Sequence, residues 1–318
     1  MGAPYHRPVK VGVVGVGNVG ATFAYALLQS GLATEIVLID ANRARAEGEA
    51  MDLSHAVPLA QPVRVYAGDY SDCAGAAVVV VTAGSAQRPG ETRLDLTARN
   101  AEIFRSIIPE IARNNPDGLL VIATNPVDVL TYISWKLSGL PRERVIGSGT
   151  ILDTARFRWL LSKRFDVDPR SVHAYIIGEH GDSEVPVWSL ANIAGMRLPV
   201  YCAMNGMGCE QIDLDDIFAQ TRDAAYRIIE RKGATYYAIG MGLLRLVEAI
   251  LRDQGTVLTV SNYIDQYYGI DDVFLSLPCI VDMGGVERVL RLDLSAAEIE
   301  GLRKSADVLK GMVRQLGF

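Results

Sequence analysis

Along the first half of the chain, short apolar runs alternate with longer amphipathic segments. The runs at 9–14, 35–39, 63–66, 77–82 and 119–123 are nearly all apolar. Between them lie segments with apolar residues at helical spacing: one that starts after Asn18, then 43–55, 95–114 and 127–138. A strand covered on both faces reads as a continuous apolar run rather than as an alternation, and strands interleaved with helices build parallel sheets. The pattern therefore predicts an α/β fold with a Rossmann-type, doubly wound parallel sheet.

After Gly147-Ser148-Gly149 the pattern changes. A helix is expected over 151–164, strands near His173 (within an apolar run at 172–177) and near Val200, and helical stretches over 214–231 and 236–251. Strand runs within 256–290 and a last helix over 295–315 complete a mixed α+β half. The expected division is a nucleotide-binding domain over 1–148 and an α+β substrate domain over 149–318, with the cleft between them as the default binding site. No repeat, low-complexity segment or flexible linker interrupts the chain.

Composition narrows the classes. With 318 residues, 49% hydrophobic and 21% charged, the chain has ample core for a folded protein. A net charge of −6 without runs of like charge argues against nucleic acid or an anionic membrane surface as partner. Cys73, Cys202, Cys209 and Cys279 show no CxxC pairing and read as reduced thiols, with no metal site expected. The first eight residues lack the apolar run of a secretory signal and position 6 is His6, so a cytoplasmic protein is expected. No apolar stretch approaches the ~18 residues that span a bilayer.

Two constellations carry chemistry. The first is Gly15-Val16-Gly17-Asn18-Val19-Gly20, placed directly after an apolar run and at the start of a helical segment. Glycines there permit a tight turn and close approach of a pyrophosphate to the backbone, and the helix N-terminus offers unpaired N–H groups. Asp40 ends the next apolar run, 20 residues beyond Gly20, where a carboxylate accepts hydrogen bonds from an adenosine ribose and repels a 2′-phosphate. NAD is thus favoured over NADP; nearby Arg43 reads as a solvated helix residue. The second constellation centres on His180, one of four histidines, in Gly178-Glu179-His180-Gly181-Asp182-Ser183-Glu184. Asp153 and Arg156 are three residues apart in a helical segment and share a face. A histidine, a carboxylate to orient it and a guanidinium for an anion suit proton-coupled chemistry on a small acid.

With these motifs the chain resembles the lactate/malate dehydrogenase family, and most closely its bacterial L-lactate dehydrogenases. The likeness extends through Thr82-Ala83-Gly84, the segment Gln87-Arg88-Pro89-Gly90-Glu91-Thr92-Arg93-Leu94-Asp95-Leu96, Thr124-Asn125-Pro126-Val127-Asp128 and Lys232-Gly233-Ala234-Thr235. The resemblance implies an NAD-dependent oxidoreductase that interconverts pyruvate and L-lactate. In that reading His180 is the acid/base, Asp153 orients it, and Arg156 grips the substrate carboxylate bidentately. Arg93, in a Gly/Pro-containing segment expected to act as a mobile lid, polarises the carbonyl. The resemblance also places Asn125 near nicotinamide and substrate, Thr235 and Ile239 along the pocket, and Gly15, Gly17, Asn18, Val19, Gly20, Asp40, Thr82, Ala83, Gly84 and Ser148 at the cofactor.

Position 87 carries the choice of substrate. An arginine there matches malate dehydrogenases, where it pairs with the second carboxylate of oxaloacetate; Gln87 leaves that group without a cation. The alternatives are a malate dehydrogenase and a non-catalytic NAD-binding sensor on the same fold. Finally, Arg158 lies about 200° around the helix from Arg156, and His173 is on the strand leading to His180. In the resembling bacterial enzymes, an arginine and a histidine at these positions bind fructose 1,6-bisphosphate at a subunit interface. The resemblance thus implies a homotetramer with that effector.

Overall fold

The computed structural model describes residues 9–85, 93–208 and 212–318, with the side chains of Arg93 and Leu94 outside the description. The first half runs β1 (Lys10–Val14), α1 (Asn18–Ser30), β2 (Glu35–Ile39), α2 (Arg43–Ala56), β3 (Arg64–Ala67), β4 (Val78–Val81), α3 (Arg93–Asn114), β5 (Leu119–Ile122), α4 (Val127–Ser138) and β6 (Val145–Gly147). The second half begins with α5 (Ile151–Phe165), the short strands β7 (Val172–His173), β8 (Ile176–Ile177), β9 (Val185–Pro186), β10 (Asn192–Ile193) and β11 (Met196–Arg197), and α6 (Leu198–Met204). It ends with α7 (Leu214–Arg222), α8 (Ala224–Lys232), α9 (Tyr237–Leu251), β12 (Thr256–Ile264), β13 (Val273–Asp282), β14 (Gly285–Val289) and α10 (Ala296–Gln315).

Six strands form the expected parallel sheet in the order β3-β2-β1-β4-β5-β6. The order reverses between β1 and β4, which opens a crevice at the carboxyl ends of these two strands. Both faces are covered. Along β4, Val79 and Val81 belong to one buried cluster, while Val78 and Val80 belong to the cluster on the opposite face. That explains why the strand reads as an unbroken apolar run. The second half adds to the same sheet: β12 pairs antiparallel with β6 at Ser261 and Gly147, and β13 and β14 follow.

Several expectations need correction. The run 172–177 is two strands in different small sheets, β7 with β10 and β8 with β9. Val200 sits in helix α6 rather than in a strand, because Pro199 in its first turn pre-sets a helical φ. The stretch 214–231 is two helices that meet at Asp223. Cys202 is disulfide-bonded rather than a reduced thiol, whereas Cys73 and Cys279 are free, buried thiols. Arg43 is not simply solvated: its guanidinium donates to the carbonyls of Gly68 (2.9 Å) and Ala67 (3.1 Å) and to Glu47 (3.0 Å). No helix among the described residues is long and apolar enough to cross a membrane.

Candidate active site

Three separate segments meet at His180. Helix α5 starts just after Gly149, and its first turn carries Asp153, a position where the helix dipole favours an acid. One turn on, Arg156 Nη1 donates to Asp153 Oδ1 at 2.9 Å. Asp153 is 2% exposed, so the pair is an interior feature rather than a surface ion pair. The strand β8 is tied to the same helix, since Thr150 Oγ1 donates to the Ile176 carbonyl at 2.6 Å. The chain then turns at Gly178, whose φ of +90° and proximity to Ser305 exclude a side chain. This turn delivers the His180 ring to Asp153, with Nδ1 and Oδ2 2.5 Å apart. A carboxylate on Nδ1 keeps that nitrogen protonated and leaves Nε2 as the site of proton exchange.

The electrostatics follow from burial against charge. Burial alone would lower the proton affinity of His180, but the charge and hydrogen bond of Asp153, aided by Asp128 and Glu184, raise its pKa to about 9. Burial works against the Asp153 carboxylate too, yet His180 and Arg156 outweigh it and hold its pKa below the usual carboxylate range. Two acids join the cluster that sequence reasoning did not single out. Asp128, in the first turn of α4, accepts a hydrogen bond from the His180 backbone N–H at 2.8 Å. Glu184 is buried, its Oε1 has no hydrogen-bond partner among the described residues, and burial together with the charge of Asp153 pushes its carboxyl up to about 9. Both lie in motifs quoted above, but only tertiary proximity distinguishes them.

At the sheet crevice, Gly15 adopts φ +92°, and a Cβ there would fall 2.4 Å from the Ala83 nitrogen. The Thr82 hydroxyl donates to the Gly15 carbonyl at 2.5 Å, locking the glycine turn to the end of β4. Asp40 Oδ2 accepts from Val16 N at 2.8 Å and Oδ1 from Asn42 N at 2.9 Å, which fixes the carboxylate at the mouth of the crevice. Helix α1 has Gly17 as its N-cap and no side-chain cap, and a Cβ on Gly17 would meet nothing within 4 Å. Uncapped N–H groups facing open space form a cradle for a pyrophosphate, so the residues fit a dinucleotide. The loops after β4 and β5 line the same edge: Thr124 Oγ1 donates to the Ala83 carbonyl (2.7 Å) and Asn100 Nδ2 to the Asn125 carbonyl (3.0 Å). Ser148 is buried after β6, and Val19 and Ile239 pack at one apolar cluster where α1 and α9 cross.

The remaining predicted residues are placed as follows. Gln87 and Arg88 lie outside the described residues. Arg93 is the first residue of α3 rather than part of a loop, and its side chain also lies outside. Thr235 is partly buried in the turn between α8 and α9, with no hydrogen bond to the His180 group. Arg158 does face away from Arg156's site: its Nε donates to the Ala174 carbonyl at 3.0 Å, beside the exposed His173. Among the described residues no cluster of metal-binding side chains occurs.

A doubly wound sheet with a glycine turn, an uncapped helix N-terminus and Asp40 at its crevice, together with an imidazole bonded to a buried carboxylate that also binds a guanidinium, fits a nicotinamide-dependent dehydrogenase. The chain belongs to the lactate/malate dehydrogenase family. The family's NAD-binding domain matches residues 9–147, and its alpha/beta C-terminal domain matches residues 150–316. It is therefore an oxidoreductase whose cofactor is NAD. It is 54% identical over 312 residues to the L-lactate dehydrogenase of Moorella thermoacetica, which covers 98% of each chain. It is 53% identical over 307 residues to that of Acetivibrio thermocellus, covering 96% of this chain and 97% of the relative. Among solved structures, the minor L-lactate dehydrogenase of Enterococcus mundtii superimposes with a TM-score of 0.94 at 45% identity, covering 97% of this chain and 98% of that one.

Proposed function

We propose that the protein is an L-lactate dehydrogenase that reduces pyruvate to L-lactate with NADH, reversibly. The observation that carries this reading is the contact of His180 Nδ1 with a buried Asp153 that also binds Arg156. Arg156 commits only Nη1 to Asp153 among the described residues, which leaves the outer edge of its fork for the planar carboxylate of a 2-keto acid. When bound, NADH would supply the hydride for the carbonyl carbon. His180 gives the Nε2 proton to the carbonyl oxygen, and Asp153 stabilises the imidazolium that does so. Arg93 polarises the carbonyl and Asn125 and Thr235 complete the pocket. Gly15, Gly17, Asn18, Val19, Gly20, Asp40, Thr82, Ala83, Gly84, Asn125, Ser148 and Ile239 would hold the cofactor. Gln87 selects pyruvate over oxaloacetate because it offers no cation to a second carboxylate. On this reading residues 1–148 form the cofactor domain and 149–318 the substrate domain, in a cytoplasmic homotetramer.

The test is NADH consumption, followed by absorbance, with pyruvate and with oxaloacetate. Pyruvate is expected to be the better substrate by orders of magnitude in kcat/KM. A preference for oxaloacetate would overturn the substrate, and no turnover of either would leave an NAD-binding protein without the chemistry. NADPH in place of NADH should perform poorly, because Asp40 stands where a 2′-phosphate would lie.

Fructose 1,6-bisphosphate is the proposed effector. Arg158 is pinned to the Ala174 carbonyl, next to His173 on the exposed end of β7. Two such pairs across a twofold axis would give a local basic pocket in a chain of net charge −6. Apparent pyruvate affinity should rise with the bisphosphate. Superimposable pyruvate saturation curves with and without the bisphosphate would remove the regulatory role.

A further inference from the structure

Asp128 has no role in the reaction described above, yet it is 2% exposed and bonded to the main chain of His180 at 2.8 Å. Its Oδ1 is buried, and the Ser261 hydroxyl on the adjoining strand β12 is its side-chain neighbour. A buried carboxylate pays heavily in lost hydration unless its charge is used. To hold one backbone N–H, a neutral amide or hydroxyl oxygen would suffice at lower cost. The charge itself therefore calls for a purpose, and the cation it acts on is the imidazolium of the residue it anchors.

We infer that Asp128 is a positioning residue: it fixes the His180 main chain and, through its negative charge, helps the imidazole keep its proton into the alkaline range. The inference rests on His180 being the proton donor. It assigns Asp128 a different task from Asp153, which bonds the ring itself and sets its tautomer. The groups facing His180 are Asp153 and, behind it, Arg156 from α5, Asp128 from α4, and Glu184 from its own loop. Those facing Asp128 are His180, Glu179 and the Ser261 hydroxyl. Burial lifts the Asp128 carboxyl to about 6 despite its contacts with Ser261 and His180, so it is charged throughout the range in which His180 loses its proton.

Asp128→Asn separates the two contributions, since an amide oxygen can still accept from the His180 N–H while the charge is gone. In the parent, kcat/KM for pyruvate reduction should fall as pH rises through about 9. In Asp128→Asn that fall should begin about half a pH unit or more lower, which is roughly a threefold or greater loss at a pH on the limb. NADH affinity should change little. An alkaline limb left in place, with or without a uniform loss of rate, would overturn the inference and leave Asp128 as structural.

The His180 ring can also be followed without turnover, by NMR titration of labelled histidine, with its signal assigned by disappearance in His180→Asn. Its midpoint should drop in Asp128→Asn even if pyruvate proves not to be the substrate. In the unsubstituted protein the same signal should show a smaller step near pH 6 as Asp128 takes up a proton. The lack of that step would count against Asp128 even if the variant failed to fold.

Discussion

His180→Asn is expected to lower the rate of pyruvate reduction by about 10²–10⁴-fold while leaving NADH binding within a few-fold of the parent. Asparagine is nearly the size of the imidazole's near half and can still donate to Asp153, so the pocket should keep its shape. What disappears is a group that can release a proton at Nε2. Among the described residues, the turn after β1 and the loops after β4 and β5, where the cofactor is proposed to sit, share no hydrogen bond with His180. A fluorescence titration with NADH measures the first half of this expectation, and steady-state rates measure the second. Retention of most of the activity would take His180 out of the mechanism.

The pH dependence of the parent enzyme follows from the same site. His180 has its pKa raised to about 9, so it is protonated across the neutral range and is ready to act as an acid. Reduction needs that proton and should hold a plateau at neutral pH, then decline as pH rises through about 9. Oxidation of the hydroxy acid needs the neutral imidazole and should climb over the same interval. For stability the sign is the same as for any group whose proton is held more tightly in the folded state. The contribution of His180 is fully present below its ordinary pKa of 6.5 and is lost as pH passes through about 9. The lowered carboxyl of Asp153 acts in the opposite sense, and its contribution is lost as pH falls through its folded pKa.

The parallel sheet was readable from the chain because buried strands advertise themselves: Val78 to Val81 can only be a strand covered on both faces. The cradle was readable because turn chemistry, a helix start and Asp40 occur at fixed spacing. His180, Asp153 and Arg156 were readable because their residue types are costly to bury without a task. Asp128 and Glu184 were not. An acid in the first turn of a helix, flanked by Val127 and Val129, looks like ordinary compensation of the helix dipole. Its meaning lies in a contact with a residue 52 positions away. The extension of the sheet by β12 to β14 was equally hidden, because antiparallel addition beside β6 depends on which edge is left open rather than on any local pattern. The split at Asp223 and the helix at Val200 were missed for a smaller reason, that short elements yield to the packing around them.

Gln87→Arg should move the preference from pyruvate toward oxaloacetate by at least two orders of magnitude in the ratio of kcat/KM values. The residue lies outside the described residues, so the expectation stands on the chemistry of the pocket. Arg156 can neutralise one carboxylate, and oxaloacetate carries two. With glutamine at position 87, closing the site over the second carboxylate buries a charge without a partner, and leaving one member of a buried pair alone costs about 3–5 kcal/mol. At about 1.4 kcal/mol for each factor of ten, that penalty amounts to discrimination of roughly 10²-fold to several thousand-fold. An arginine removes the penalty for oxaloacetate and imposes a related one for pyruvate, whose methyl group would leave the new guanidinium unpaired and partly desolvated. The two effects act on the ratio in the same direction, so the ratio is the quantity to measure, with both substrates at the same pH and NADH concentration. Arg88, one residue on, gives the comparison its sharpest control. If Arg88 already reached the substrate, the parent would accept oxaloacetate, and adding a second arginine would change little. A ratio that stays within a few-fold of the parent's would show that position 87 does not face the substrate.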